Sequence, residues 1–310
     1  MRYVIIFLFV LIMSSSHAQS PDDFYNKSLA AYENNNIDSA LNLINEALAI
    51  DSNNVSYYDL KGLIHEDLQE FQLAYEIYTQ ALNRFQSDSY IYSKRGLLLQ
   101  KVGEYDYSLE DLTYAMKYAE SDSIYYLNLT NRAVTKYHKR DFESSYEDLI
   151  NAYKFDSTDI AVLTNLGAVC EEINDPDNAI MYLLKAIEVD STYYPAYGNL
   201  GFLYQESGDY NKAIDMFNKV LEFDPSEPYG YSNRSYNWMK IGNTDLALKD
   251  IEKSIELFPE NSYAYRTRAL IYIELGDYSK SCQDLQKALD LGFTTNYGTE
   301  VINLQKEYCH

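Results

Sequence analysis

Three small residues recur along this chain in a fixed register, and few folds can hold such a pattern. The second small position lies twelve residues after the first, and the third lies seven after that. The first is filled by Ser28, Gly62, Gly96, Ala133, Gly167, Gly201, Ser235 and Ala269, the second by Ala40, Ala74, Ser108, Ser145, Ala179, Ala213, Ala247 and Ser281. The third holds Ala47, Ala81, Ala115, Ala152, Ala186, Val220, Ser254 and Ala288, so that only Val220 is not Gly, Ala or Ser. The step is 34 residues throughout, save 37 between Gly96 and Ala133. A period of this length marks a repeat architecture, in which each unit buries its apolar face only against its neighbours.

Each unit reads as two amphipathic helices joined by a short turn, with apolar residues three and four apart, as in "AIDMFNKVLEF" from Ala213. Gly103, Gly208, Gly242 and Gly276 sit where the first helix must stop. Pro225 and Pro259 close two units, because proline cannot continue a helix. Small residues let helix axes approach. Tyr58, Tyr92, Tyr197, Tyr231 and Tyr265, early in the first helix, fill the remaining gaps, as do Phe71, Tyr105, Phe142, Tyr210 and Tyr278 after the turn.

The stretch "YGNLGFLYQESGDYNKAIDMFNKVLEFDP", Tyr197 to Pro225, resembles the tetratricopeptide repeat family nearly throughout. The resemblance implies an all-α fold, an α-solenoid forming a right-handed superhelix. Its eight repeats would span 21–54, 55–88, 89–122, 126–159, 160–193, 194–227, 228–261 and 262–295, with a capping helix over 296–310. Pro176 departs from the family's aromatic after the turn, and Arg140 and Asn174 replace the turn glycine. The insertion at Ser123 to Tyr125 is expected to loosen the stack between the third and fourth repeats. Function by binding, not chemistry, is what the resemblance implies.

A charge code runs through the repeats. Arg95, Arg132, Arg234 and Arg268 stand just before the first small position, and Asp111, Asp148, Asp250 and Asp284 follow sixteen residues later. The other four repeats pair Lys27 with Leu43, Lys61 with Ile77, Leu166 with Tyr182 and Leu200 with Met216, so Arg and Asp occur together or not at all. Arginine can make a two-pronged pair with a carboxylate, and a structural salt bridge within each hairpin is expected; a row of anion sites is the functional alternative.

Residues 1–18 read as a secretory signal peptide: Arg2, the apolar run Val4 to Met13, then Ser16-His17-Ala18. The run is too short to span a bilayer, and no later stretch is long and apolar enough, so no integral membrane segment is expected after cleavage. The chain is expected to be exported, periplasmic or secreted. Its net charge of −22 disfavours nucleic acid and anionic lipid and favours cationic partners. Chemistry is absent from the motifs. His65, His138 and His310 lack metal-ligand spacing with another His or a Cys, and there is no phosphate-cradling loop. No catalytic residue, metal or cofactor is expected, and the chain is read as not an enzyme.

Carried over from the family, the inner face would be lined by Tyr25, Tyr32, Tyr90, Tyr137, Tyr229, Tyr236 and Tyr263. Carboxylates accompany them: Glu33, Asp59, Glu66, Asp67, Glu171, Glu172, Glu206 and Glu274, with Lys101, Lys240 and Arg266 breaking the field. Tyrosine offers rigid contact area, and acidic surroundings speed encounter with a basic segment. The expected partner is a protein or peptide carrying Lys or Arg. The bland alternative is that many of these tyrosines merely pack between repeats. Two other readings stay open: a carbohydrate- or envelope-polymer-binding module, and an accessory subunit of an envelope enzyme or sensor complex. If the last helix packs as a ninth first helix, it brings Cys309 to Cys282, and a disulfide would clamp the cap; two free thiols are the alternative. Cys170 is expected to be a buried free thiol.

Overall fold

The computed structural model describes residues 19–309, and every regular element among them is helical. The expected signal peptide, 1–18, and His310 lie outside the described residues. Two compact units divide the chain, one ending at Asn131 and the other beginning at Arg132. The first holds α1 (Pro21–Glu33), α2 (Ile37–Ile50), α3 (Val55–Asp67), α4 (Phe71–Arg84), α5 (Ser89–Lys101) and α6 (Tyr105–Lys117). Helix α7 (Asp122–His138) carries the boundary between the units. The second unit holds α8 (Phe142–Phe155), α9 (Ile160–Glu172), α10 (Pro176–Val189), α11 (Tyr194–Glu206), α12 (Tyr210–Phe223), α13 (Pro228–Lys240) and α14 (Thr244–Leu257). It continues with α15 (Ser262–Glu274), α16 (Tyr278–Asp290), α17 (Phe293–Tyr297) and α18 (Glu300–Tyr308).

The helices begin and end for local reasons. Ser20 forms a capping box with Asp23 ahead of α1, and Asp88, Asp159 and Asn261 cap α5, α9 and α15 through their side chains. Each hairpin turns on one residue in the left-handed region. In four turns it is Gly103, Gly208, Gly242 or Gly276; in the other four it is Asn35, Gln69, Arg140 or Asn174, at φ between 58° and 66°. The turn is therefore set by its place in the repeat, and the side chains that lack glycine's freedom bear a strain of about 1–2 kcal/mol each.

Close approach explains the small residues. A Cβ added at Gly201 would lie 2.9 Å from the Phe217 ring, and one at Gly167 would lie 2.8 Å from Leu183 Cγ. At three small positions a serine hydroxyl ties the hairpin: Ser28 to the Ala40 carbonyl at 2.8 Å, Ser145 to Ala133 at 2.7 Å and Ser235 to Ala247 at 2.7 Å. The second helix of one repeat packs on the first of the next, as α4 does on α5 and α12 on α13. First helices also meet each other directly, α1 with α3, α9 with α11 and α13 with α15, and so form a shared face within each unit.

All four Arg–Asp pairs are two-pronged. Arg95 Nε and Nη2 reach Asp111 at 2.7 and 2.8 Å, Arg132 reaches Asp148 at 2.9 Å through both, and Arg268 reaches Asp284 at 2.7 and 2.8 Å. The carboxylates are buried. The third nitrogen of Arg95 donates to Thr79 Oγ1 at 2.9 Å and that of Arg234 to Asn218 Oδ1 at 2.8 Å, both on the second helix of the preceding repeat. These two pairs thus join repeats as well as closing a hairpin, which the sixteen-residue spacing did not reveal.

At the insertion, α7 runs to 17 residues where other first helices have 13. The cap is two helices: Gly292 and Gly298, both at positive φ, bracket the short α17 before α18. Phe293 and Val301 from this cap are buried against Ala269, Leu285 and Ala288. The cap is locked by Cys282 and Cys309, bonded with Cα atoms 5.7 Å apart, while Cys170 is a free, buried thiol.

Candidate binding face

The first-helix faces of the two units, each taken by itself, carry the tyrosines and carboxylates read from the sequence, and none of the seven tyrosines is fully buried. Tyr90 and Tyr229 are exposed at 51% and 47%; Tyr25, Tyr32, Tyr137, Tyr236 and Tyr263 are half-buried. Three of their hydroxyls, those of Tyr32, Tyr90 and Tyr137, donate to carboxylates of the neighbouring repeat. In the first unit Tyr32 donates to Asp67 and Tyr90 to Asp59 at 3.0 Å. Tyr57, which was not foreseen, donates to Asp22, and Tyr25 lies 5.3 Å from the Tyr57 ring. Tyr78 donates to Glu66 at 2.7 Å from beneath the face. Burial and then the Asp67 hydrogen bond push the Tyr32 hydroxyl up to about 12, so it stays a donor at any ordinary pH.

Asp59 is half-buried in this unit. One oxygen accepts from Tyr90; the other is buried, with the Lys94 ammonium at 3.9 Å. Burial holds its carboxyl above the ordinary range despite Lys94. Lys94 in turn stands 5.2 Å over the Tyr90 ring. Glu33 and Asp67 are exposed, and Glu66 is half-buried.

In the second unit Tyr137 donates to Glu172 at 3.5 Å and packs edge-on to Phe142 at 5.4 Å. Glu171, Glu172 and Glu206 are exposed. Partial loss of hydration, followed by the Glu206 and Glu172 charges, raises the Glu171 carboxyl above its ordinary range. The cations of the face sit on aromatic rings: Lys240 is 5.3 Å from Tyr236, and Arg266 is 5.5 Å from Tyr236 and 5.6 Å from Tyr263. Lys101 likewise lies 4.9 Å over Phe71 in the first unit. Arg266 also makes a two-pronged pair with Glu300 of α18, so the cap neutralises it. Tyr32, Tyr90 and Tyr137 are therefore oriented by a carboxylate one repeat away, and all seven tyrosines stay partly exposed.

The structure adds a hollow that the sequence reading missed. Tyr194, Gly198 and Phe202 share one face of α11 and open onto Tyr229 of α13 across about 180 Å³. The signal was available: Gly198 is a helix-interior glycine outside the repeating small positions. Among the described residues no helix is long and apolar enough to cross a membrane, and no group of His, Cys, Asp or Glu is disposed to hold a metal ion.

Tetratricopeptide repeat models match residues 25–90, 160–193, 194–227 and 263–291, more than half of the chain. The chain belongs to the tetratricopeptide repeat family. A tetratricopeptide repeat protein, MJ1428 of Methanocaldococcus jannaschii, is 39% identical over 69 residues. That match covers 22% of this chain and only 12% of the relative. Among solved structures, a tetratricopeptide repeat protein from Parabacteroides merdae is 19% identical, covering 93% of this chain and 100% of its own, at a TM-score of 0.53. The C-terminal part of a repeat protein from Cytophaga hutchinsonii is 20% identical, covering 80% and 99%, at 0.58. A chain of the APC/C hetero-tetramer Cut9–Hcn1 is 14% identical, covering 93% and 56%, at 0.64. These likenesses carry the fold alone, an α-solenoid.

Proposed function

We propose that this tetratricopeptide repeat chain is an exported scaffold that holds an extended, Lys- or Arg-containing segment of a protein partner along its first-helix face. It acts by binding and not by catalysis. The observation that carries this reading is the tethering of half-exposed tyrosines by carboxylates one repeat away, as in Tyr90 to Asp59. A tethered ring loses little entropy on contact, and the carboxylates beside it favour a cationic partner. Export draws support from the Cys282–Cys309 bond, since disulfides persist in oxidising compartments, and from the leader-like residues 1–18.

The test is capture from an envelope or secreted fraction, set beside a glycan array, with intact chain and with Tyr229, Tyr236 and Tyr263 all changed to Ala. Loss of a basic protein partner on triple substitution, with the melting transition retained, supports the reading. Unchanged capture removes this face of the second unit from the function, and glycan binding in place of protein capture favours the carbohydrate module. Fractionation of cells expressing the chain tests export separately.

A further inference from the structure

The hollow beside Gly198 has no role in the packing of the repeat. A Cβ there would find its nearest neighbour, Val220 Cγ2, at 3.9 Å, an ordinary contact, whereas at Gly201 the Phe217 ring blocks it at 2.9 Å. Glycine in a helix interior costs backbone entropy. At Gly201 closeness of helices offsets that cost; at Gly198 nothing in the fold does. What Gly198 provides is space, floored by Val220 and walled by three aromatic side chains that face solvent: Tyr194 (37% exposed), Phe202 (41%) and Tyr229 (47%).

The rim is negative. Glu227 lines the hollow, held there because its carboxylate accepts the Tyr229 N–H at 2.9 Å. Glu206 lies one turn beyond Phe202 on the same face of α11. Several aromatic faces with one fixed carboxylate suit a cation whose stem is apolar. Asn199 and Asn233 also line the hollow; the fixed carboxylate among aromatic faces is what favours a cation over a sugar ring. We propose that the hollow is a specificity subsite that takes one arginine or lysine side chain of the bound segment, the stem against Phe202 and Val220 and the charge among Tyr194, Tyr229 and Glu227. This rests on the reading of the first-helix face as a peptide groove and adds which side chain is chosen and where.

The test uses random peptides of roughly a dozen residues, displayed on phage and selected on the intact chain. Winners are resynthesised with their basic residue intact, as citrulline for Arg or norleucine for Lys, and measured by fluorescence polarisation. The chain is compared with Gly198→Leu, which plugs the hollow, and Gly198→Ala, which scarcely enters it; thermal melts check both folds. The expected result is selection of basic peptides, a loss of about tenfold or more on neutralising one residue, and the same loss in Gly198→Leu but not Gly198→Ala. If basic peptides bind equally to Gly198→Leu, the subsite is wrong while the groove stands. If Gly198→Leu abolishes binding but neutral peptides bind as well as basic ones, the occupant is apolar and the cation is wrong. If no peptide binds and a glycan does, both this subsite and the groove reading fall.

Discussion

Arg234 and Asp250, sixteen residues apart, meet across one hairpin through two parallel hydrogen bonds of 2.7 and 2.8 Å, and Arg234 spends its remaining nitrogen on Asn218 of the repeat before. Tyr231, three residues upstream, lies 5.6 Å under the guanidinium. Truncating one partner leaves a charge stranded at a buried site, so Asp250→Ala is expected to cost about 3 kcal/mol and Arg234→Met a comparable amount. The double variant should cost less than the sum by over about 1 kcal/mol. Urea melts of the four chains measure the coupling, and its absence would sink the structural role of the pair.

Two glycines in first helices should respond to alanine with opposite sign. A Cβ at Gly62 collides with the ring of Tyr78, which is fully buried and hydrogen-bonded to Glu66, so Gly62→Ala is expected to lose about 2 kcal/mol through overpacking. Gly198→Ala meets only Val220 at 3.9 Å and should gain about 0.5–1 kcal/mol from helix propensity. Thermal melts of the two variants decide it. Equal effects would show that axis closeness does not set the small positions.

Native protein should show no thiol reactive to alkylation at neutral pH. Burial pushes the Cys170 thiol up to about 11, and Cys282 and Cys309 are bonded to each other. Reduction should release two thiols at the cap and lower stability by about 3 kcal/mol, since the bond closes a loop with a sequence separation of 27. Mass spectrometry after alkylation, with and without reductant, counts the thiols. Denaturant melts with and without reductant measure the loss, and hydrogen exchange should place it first in α18.

Glu171 gives the chain a pH signature. Its folded carboxyl is raised above the ordinary 4.5, so between those two values the folded chain holds more of the proton than the unfolded chain does. Stability therefore falls as pH rises through that window; the cost is fully present above the raised value and absent below the ordinary one. Glu171→Gln should stabilise by under about 0.5 kcal/mol near neutral pH, a small figure because solvent screens an exposed group. The gain should vanish in acid below the ordinary value. A gain that persists there, measured by paired melts across pH, would assign it to something other than charge.

The repeat and its hairpins were legible in the sequence, because their causes are local or strictly periodic. A small residue where axes meet, a turn residue after the first helix and an Arg with its Asp sixteen on each leave a mark at a fixed offset. Even the left-handed turns at Asn35 and Gln69 follow from register, although neither side chain announces them. The cysteine bridge was reachable because it needed only the antiparallel run of the last helix against its neighbour.

What the first-helix face presents was decided by tertiary structure. Tyr57 reaching Asp22, Tyr90 reaching Asp59, Arg266 tied to Glu300, and the hollow at Gly198 all depend on which side chains two neighbouring helices bring within a few ångströms. A 34-residue period states that the helices stack, but every repeat fills its non-small positions differently. Exposure of a tyrosine depends on the particular residues facing it, and those come from another repeat. Periodicity thus determined the backbone, while the contacts between unlike side chains at each junction determined the surface.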